Sequence, residues 1–382
     1  MLNYVLNYVL NCLPKMERCF LKATKIVMII LSTVICVSCR TASDHDYSAV
    51  SSAENPVSPS WQAHLDSFKE QPMQERCLPK TFRSKKSPSK GSIVLIHGFT
   101  ACTQQFFDLS EKLSDRGFSV YLPVLPGHGR VVSYDENSPA SKNYSAIPHV
   151  SQGKEAYLKY IRFIVALSKE LPKPVFIGGL SVGGAISAAA ISDPSHEFKR
   201  ALVMTPYFSL AKGGTTLAAL EKVKAADFLG VLQKLNVFDG VYDRETGWGE
   251  VCEKHETAAG RAGYCRFQVG HIALVEQLGK SWGRSKVKGN VELLLIGVQE
   301  DKAVSNESIL AYARGNKINE LPARYGCFYR EGANHSLLSK YDNPSEDKFW
   351  KASIESNIMS FFETGKNPKV KEHWDWTLPI CL

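Results

Sequence analysis

Val175-Phe-Ile-Gly-Gly-Leu-Ser-Val-Gly-Gly-Ala-Ile-Ser-Ala-Ala-Ala-Ile191 is the stretch on which the reading of this chain turns. Residues 175–178 open it with an apolar run, which predicts a short buried strand. Residues 183–191 are small and Ala-rich, which predicts a helix. Between them stands Gly179-x-Ser181-x-Gly183, so the chain passes from strand to helix through a very tight turn. Such a turn needs small residues on both sides of the serine, because the two backbones approach closely there. It lifts the Ser181 hydroxyl out of the sheet edge and leaves nearby backbone N–H groups unpaired. Gly-x-Ser-x-Gly occurs often by chance; the strand before it and the helix after it give it meaning. Ser181 is the candidate nucleophile, weighed against a packing turn with a bystander serine.

Working outward, short apolar runs at 92–96, 118–123, 201–205, 291–296 and 324–329 predict further strands. Helical patterns lie over 103–116, 151–169, 304–314 and 346–362. Strands of that length separated by helices predict an α/β fold with a mostly parallel central sheet covered by helices on both faces. The rhythm fails between 209 and 285. There the chain offers Leu-rich helical pieces (217–235), a Gly- and aromatic-rich middle (238–265) and a helix over 267–280. Structureless loops of that length are uncommon, so the interval is read as an inserted, mostly helical cap. Leu217, Leu220, Phe228, Leu229, Leu232 and Leu235 would line an acyl groove or simply pack the cap to the core.

A serine hydroxyl needs a base, and histidine is the side chain tuned for that task. His335 follows the last core strand and precedes the last helix, so a loop delivers it to the strand ends. His97 and His128 lie in glycine turns before the nucleophile, His149, His255 and His271 before or within the cap, and His373 beyond the final helix. The imidazole in turn needs an acid to fix its tautomer. Asp301 lies just beyond strand 291–296, with Glu300 as its neighbouring rival, while Asp239 and Asp243 lack a preceding core strand. Acyl transfer also builds charge on the carbonyl oxygen, which calls for fixed donors. The backbone N–H of Val182 and that of Phe99, in the loop after strand 92–96, are the candidates.

At these residues the chain resembles the α/β-hydrolases of the monoglyceride lipase and bacterial carboxylesterase type, a grouping also called serine aminopeptidase-like hydrolases. The matching blocks are His97-Gly-Phe-Thr100, Leu125-Pro-Gly-His-Gly129, Gly179-Leu-Ser-Val-Gly-Gly184, Asp301 with Val304, and Asn334-His-Ser-Leu-Leu338. The resemblance implies Ser181 as nucleophile, Asp301 as acid, His335 as base, Phe99 and Val182 as oxyanion donors, and a cap between the sixth and seventh strands. It implies hydrolysis of a small-molecule or lipid ester with no metal or organic cofactor. A serine peptidase or amidase is the alternative within the fold, and a non-catalytic envelope binding lipoprotein the alternative outside it. Departures from the family are an export signal, the cysteines and a glycine-rich cap with Trp248 and Tyr264.

The export signal is read from the N-terminus. Lys22 and Lys25 precede an apolar run at 26–37. Twelve residues of helix reach about 18 Å, short of the roughly 30 Å hydrocarbon layer, so the run reads as a signal. Ser38-Cys39 then resembles a bacterial lipoprotein cleavage site with Cys39 lipidated, which implies an exported protein of the cell envelope, lipid-anchored or periplasmic. Plain signal cleavage and a retained anchor stay open, as does a start at Met16 instead of Met1. Removing 1–38 leaves six cysteines besides Cys39, which allow 15 pairings. Cys252 and Cys265, bracketing a short Gly-rich loop, are the best local pair.

Across 382 residues, 44% apolar and 22% charged side chains with 27 Gly and 18 Pro exclude fibrous, collagen-like and wholly disordered chains. The net charge is +8; residues 1–38 carry a net three of those charges, leaving +5 and no basic stripe, so no nucleic-acid partner is expected. The expected organisation is a signal (1–38), a tether and N-terminal extension (39–90), core (91–208), cap (209–285), core (286–364) and a C-terminal extension (365–382). Within the extension, 40–60 reads as a flexible tether and 83–90 as a loop leading to the first core strand.

Overall fold

The computed structural model describes residues 58–133, 137–211, 241–243, 262–264, 266–299, 301–316, 323–328, 335, 337–338, 350–365 and 374–375. Its centre is an eight-stranded sheet. Six strands run parallel: β2 (Gly91–Ile96), β3 (Phe118–Leu122), β4 (Val175–Leu180), β5 (Phe198–Met204), β8 (Glu292–Val298) and β9 (Ala323–Phe328). Each edge is closed by a short antiparallel strand, β1 (Lys80–Phe82) against β3 and β10 (Trp374–Asp375) against β9. The order across the sheet is β1-β3-β2-β4-β5-β8-β9-β10.

Side chains alternate faces along each strand, and the two faces are both apolar, which is why these segments read as continuous hydrophobic runs. Val94, Ile177, Val203 and Leu295 face one core, with Tyr157 and Ile164 of α3 (Lys154–Glu170), Ala185 of α4 (Val182–Ala190), Leu274 of α5 (Val269–Trp282) and Ile309 of α6 (Asn306–Gly315). Ile93, Phe176, Leu202 and Leu294 face the other, with Leu109 of α2 (Phe107–Asp115) and Ile354 and Ile358 of α7 (Lys351–Thr364). The mostly parallel sheet with helices on both faces is thus the one the patterning predicts, and it has the α/β-hydrolase architecture that the resemblance implies. Element ends move by a few residues. The expected helix over 103–116 divides into a 3-10 turn at Thr103–Phe106 and α2.

Two parts of the extensions are more ordered than their composition suggests. Within the stretch read as a tether, α1 (Pro59–Asp66) begins: Ser58 caps it by accepting from Trp61 N (3.2 Å), and proline holds the first helical position. Ser and Pro here are a helix start, not a linker. Glu170 of α3 accepts from Ser58 Oγ and Ser60 N, Trp61 is buried, and His64 stacks on Phe163 at 4.5 Å. The second is β10, which adds sheet pairing to the C-terminal extension. The loop 83–90 leads to β2, the second strand of the sheet in chain order, because β1 precedes it.

Inside the interval 209–285, β6 (Val241–Asp243) pairs antiparallel with β7 (Arg266–Gln268), and α5 follows directly. The Leu-rich pieces at 217–235, Trp248, His255 and the Cys252 and Cys265 pair lie outside the described residues, as do the signal segment and Cys39. Among the described residues one disulfide joins Cys77 to Cys102, and Cys327 is disulfide-bonded as well.

Candidate active site

The turn after β4 is set by backbone crowding. A Cβ on Gly179 would lie 2.2 Å from Gly183 O, and one on Gly183 would lie 2.0 Å from Ile96 O. Neither position can carry a side chain. Between them Ser181 is forced to φ 57° and ψ −118°, a region that L-residues rarely occupy. Three backbone bonds hold it there: its N–H donates to Met204 O (3.0 Å), and its carbonyl accepts from Ala185 N and Tyr207 N (2.9 Å each). Ser181 is 7% exposed at the carboxyl end of β4. Val182 is the first residue of α4, where N–H groups have no partner within the helix.

The loop after β2 packs on this turn: a Cβ at Gly98 would meet Ser181 Cβ at 3.4 Å. His97 is a structural member of it. Its Nδ1 donates to Gly98 O (2.9 Å) and its Nε2 accepts from Leu125 N (3.1 Å), so the buried ring ties two site loops together in the neutral form. Gln105 Oε1 accepts from Gly98 N (2.8 Å). Thr100 has φ 59°, and its carbonyl accepts from Tyr264 N (2.7 Å). The Phe99 ring lies edge-on to Phe267 and His128, with centroids 5.1 and 5.7 Å away.

Asp301 and His335 are brought into direct contact. Asp301 stands three residues beyond β8, with its carboxylate fully buried. One oxygen, Oδ1, accepts from Ala303 N (2.8 Å) and Val304 N (3.0 Å); the other, Oδ2, accepts from His335 Nδ1 at 2.8 Å. A carboxylate only accepts, so His335 carries its hydrogen on Nδ1 and presents a lone pair on Nε2. The ring is 21% exposed. Its loop is anchored by buried Leu337, whose carbonyl accepts from Trp350 Nε1 (3.3 Å). Ser181, Asp301 and His335 therefore all follow the carboxyl ends of parallel strands β4, β8 and β9, which lie within one run of four neighbours in the sheet.

The remaining histidines have other surroundings. Burial lowers His128 to about 4 and His271 to about 3, and both are neutral near pH 7. His149 lies over Gly270, its ring 5.8 Å from that of His271. Glu300, His373 and Asp239 lie outside the described residues.

Gln74 and Gln104, which sequence reasoning did not single out, and Tyr264, which it noted only as a feature of the cap, bind the cap segment to the loops around Phe99 and Gly127. Gln104 Oε1 accepts from Ala262 N (2.7 Å). Gln74 accepts from Gly263 N (3.1 Å) and donates to Gly263 O and Arg130 O (2.9 Å each). Tyr264 donates to Gly127 O (2.8 Å) and accepts from Arg130 N (3.0 Å). Cys102, immediately after the loop, is bonded to Cys77.

Solved structures share this fold. A monoacylglycerol lipase from Paleococcus ferrophilus superimposes with a TM-score of 0.52 at 15% identity, covering 75% of this chain and 98% of that one. A soluble variant of monoglyceride lipase from Saccharomyces cerevisiae, in complex with a substrate analogue, gives 0.50 at 15% identity, covering 76% and 92%. No curated protein sequence matches the chain. The family model described as "Serine aminopeptidase, S33" matches residues 87–323, well over half the chain and inclusive of the Ser181 turn and Asp301, and the chain belongs to that family of serine hydrolases.

Proposed function

We propose that this serine hydrolase cleaves carboxylic esters, of lipids or medium-chain acids, through an acyl-enzyme on Ser181. The observation that carries the reading is the 2.8 Å bond from His335 Nδ1 to the buried Asp301 carboxylate, which fixes the tautomer a general base requires. In the first step His335 Nε2 takes the Ser181 proton as the oxygen attacks the ester carbonyl. The resulting oxyanion rests against the N–H groups of Phe99 and Val182, and His335 returns the proton to the departing alcohol. Water then attacks the acyl-enzyme with His335 again as base, releasing the acid and restoring Ser181. Buried Asp301 stabilises the imidazolium in both steps.

A fluorophosphonate probe tests the nucleophile: labelling of the wild type and none of Ser181→Ala is expected, and no labelling of folded wild type would favour the non-catalytic binding reading. Asp301→Asn should keep the fold and lose about 10⁴-fold in rate, the magnitude seen when a protease triad aspartate is amidated. Near-wild-type turnover of a p-nitrophenyl ester by that variant would remove Asp301 from the site.

The family's description as aminopeptidases supports a second reading, amide hydrolysis by the same three side chains. A p-nitrophenyl ester chain-length series run beside a peptide amide panel decides between them. Export and lipidation at Cys39 rest on the sequence around residues 22–39, and lipid labelling lost in Cys39→Ala is the matching test.

A further inference from the structure

Beyond β5 the chain leaves the sheet through residues 205–211, whose backbone bonds go to both halves of the candidate site. Thr205, held at φ 35°, donates from its N–H to Ile296 O of β8 (2.7 Å). Tyr207 N donates to Ser181 O (2.9 Å). Further on, Ser209 O accepts from Ser305 N (2.8 Å) and Ala211 N donates to Ala303 O (3.3 Å), while Leu210 pairs with Val304 in an isolated antiparallel bridge. Ala303 and Val304 are the residues whose N–H groups bind Asp301 Oδ1. Residues 207–211 are therefore a strap between the serine turn and the acid loop.

The strap is seated on α5. A Cβ on Gly279 would lie 2.3 Å from Tyr207 O, and one on Gly283, just past the helix end, would lie 2.9 Å from Phe208 Cβ. Glu276, three residues before Gly279 and so on the same face of the helix, reaches the strap itself: its Oε2 accepts from Leu210 N at 3.1 Å. Its other oxygen lies 3.4 Å from Lys280 Nζ. Glu276 is 5% exposed, and Leu274, Val275 and Leu278 beside it belong to the apolar core. A carboxylate is costly in such surroundings unless it satisfies a partner. Leu210 is buried too, so losing this acceptor would strand a buried N–H.

We propose that Glu276 is a positioning residue for the hydrolase reaction: by holding Leu210 N it seats the strap on α5, and through the strap it keeps the Ser181 turn and the Asp301 loop in fixed relation. The catalytic consequence rests on the reading of Ser181 as nucleophile and Asp301 as acid; the seating of the strap does not.

Hydrogen–deuterium exchange and steady-state kinetics of Glu276→Ala and Glu276→Gln test both halves. In the alanine variant, amides at 207–211 and 303–305 should exchange at least about tenfold faster, with β2 and β4 unchanged. On a p-nitrophenyl ester kcat should fall about 10–100-fold with KM within about twofold, as expected when reacting groups are slightly misplaced. Glu276→Gln keeps an oxygen for Leu210 N and should restore protection and kcat together. Leu113→Ala, in the core on the other face of the sheet, controls for lost stability: it should lower Tm and leave kcat per folded molecule at the wild-type value. Should Glu276→Ala not fold, Glu276→Asp, which withdraws the carboxylate by one methylene, makes the same comparison.

Protection retained at 303–305 while 207–211 loosens would overturn the strap. Loosening of both with kcat unchanged, or a glutamine variant as impaired as the alanine one, would remove the positioning role. Fluorophosphonate labelling separates these results from the catalytic reading. A folded wild type that takes no label, in a series whose exchange responds as expected, refutes Ser181 as nucleophile and leaves the seating of the strap by Glu276 standing.

Discussion

The turn that carries Ser181 and the loop that carries Phe99 pack against one another, yet they are held by different means. The turn is fixed by backbone contacts between residues a few positions apart, Gly179 against Gly183, and by the adjoining strand end at Ile96. The loop is fixed by side chains: Gln105 seven residues on, the cap segment 262–264 through Gln74 and Gln104, buried histidines and the Cys77–Cys102 bond. One rests on backbone crowding within the sheet edge, and the other on side chains of the completed tertiary structure. The two should therefore fail under different insults.

Acid is the largest of these. His64, His128 and His271 have folded-state values of about 4, 4 and 3, lowered from 6.5 by burial. His128 lies against Phe99, their ring centroids 5.7 Å apart. His64 Nε2 accepts from Val124 N (3.1 Å), beside the 125–129 turn. Between those values and 6.5 the unfolded chain binds more protons than the folded one. The stability is thus fully present above pH 6.5 and is lost as pH falls toward 4. Where all three titrate on unfolding, the slope reaches about 4 kcal/mol per pH unit. Cooperative unfolding inside that window, with uptake of close to three protons, is the expected result of a pH titration followed by circular dichroism and calorimetry. Replacing His64 by Leu should flatten the slope by about a third.

The next test exchanges one methyl between the two regions. Gly183→Ala drives a Cβ to 2.0 Å from Ile96 O and 2.6 Å from His97 O, neither of which can move without breaking the sheet edge. A loss above about 3 kcal/mol, or no soluble protein, is expected. Gly98→Ala places its methyl at 3.4 Å or more from any neighbour. It should fold, with denaturant midpoints near wild type. Equal destabilisation by both would contradict the distinction between a backbone-fixed turn and a side-chain-fixed loop.

Removing the Cys77–Cys102 bond attacks the loop alone. It closes a segment with a sequence separation of 25, and its loss is expected to cost about 3 kcal/mol. In the double Ala variant, assayed where it remains folded, kcat should fall more than KM rises, because Cys102 anchors the loop that carries the Phe99 N–H. A pure stability loss with unchanged kcat would mean that the glutamines and histidines suffice to hold the loop.

The same division explains what the sequence discloses. The strands were legible because both faces of the sheet are buried, so β2, β4, β5 and β8 read as unbroken apolar runs. The Ser181 turn was legible because one part of its constraint, Gly179 against Gly183, lies within five residues. Asp301 and His335 could be picked out because each follows the end of a strand run. Other features depend on partners far off in the chain. Gln74 and Gln104 reach the cap across separations of 189 and 158 residues, and nothing in a glutamine's surroundings announces that. Cys77–Cys102 was one of fifteen possible pairings. Ser58-Pro59 read as linker because the cap and first turn of a helix use the residue types that linkers use.

The smallest effect bears on the turn itself. With φ 57° and ψ −118°, Ser181 holds a backbone conformation that costs a non-glycine residue about 1–3 kcal/mol. Ser181→Ala and Ser181→Gly both delete the hydroxyl, so any difference between them belongs to the backbone. The alanine keeps a Cβ and with it the strain. The glycine relieves the strain but gains freedom in the unfolded chain, which opposes it by about 0.5–1 kcal/mol. The glycine variant should consequently be the more stable by about 1 kcal/mol, a difference that paired chemical denaturation curves resolve. An alanine variant as stable as the glycine one would show that the hydrogen bonds from Ser181 to Met204, Ala185 and Tyr207 hold this conformation without strain. The sharpness of the turn would then reflect steric selection at Gly179 and Gly183 alone.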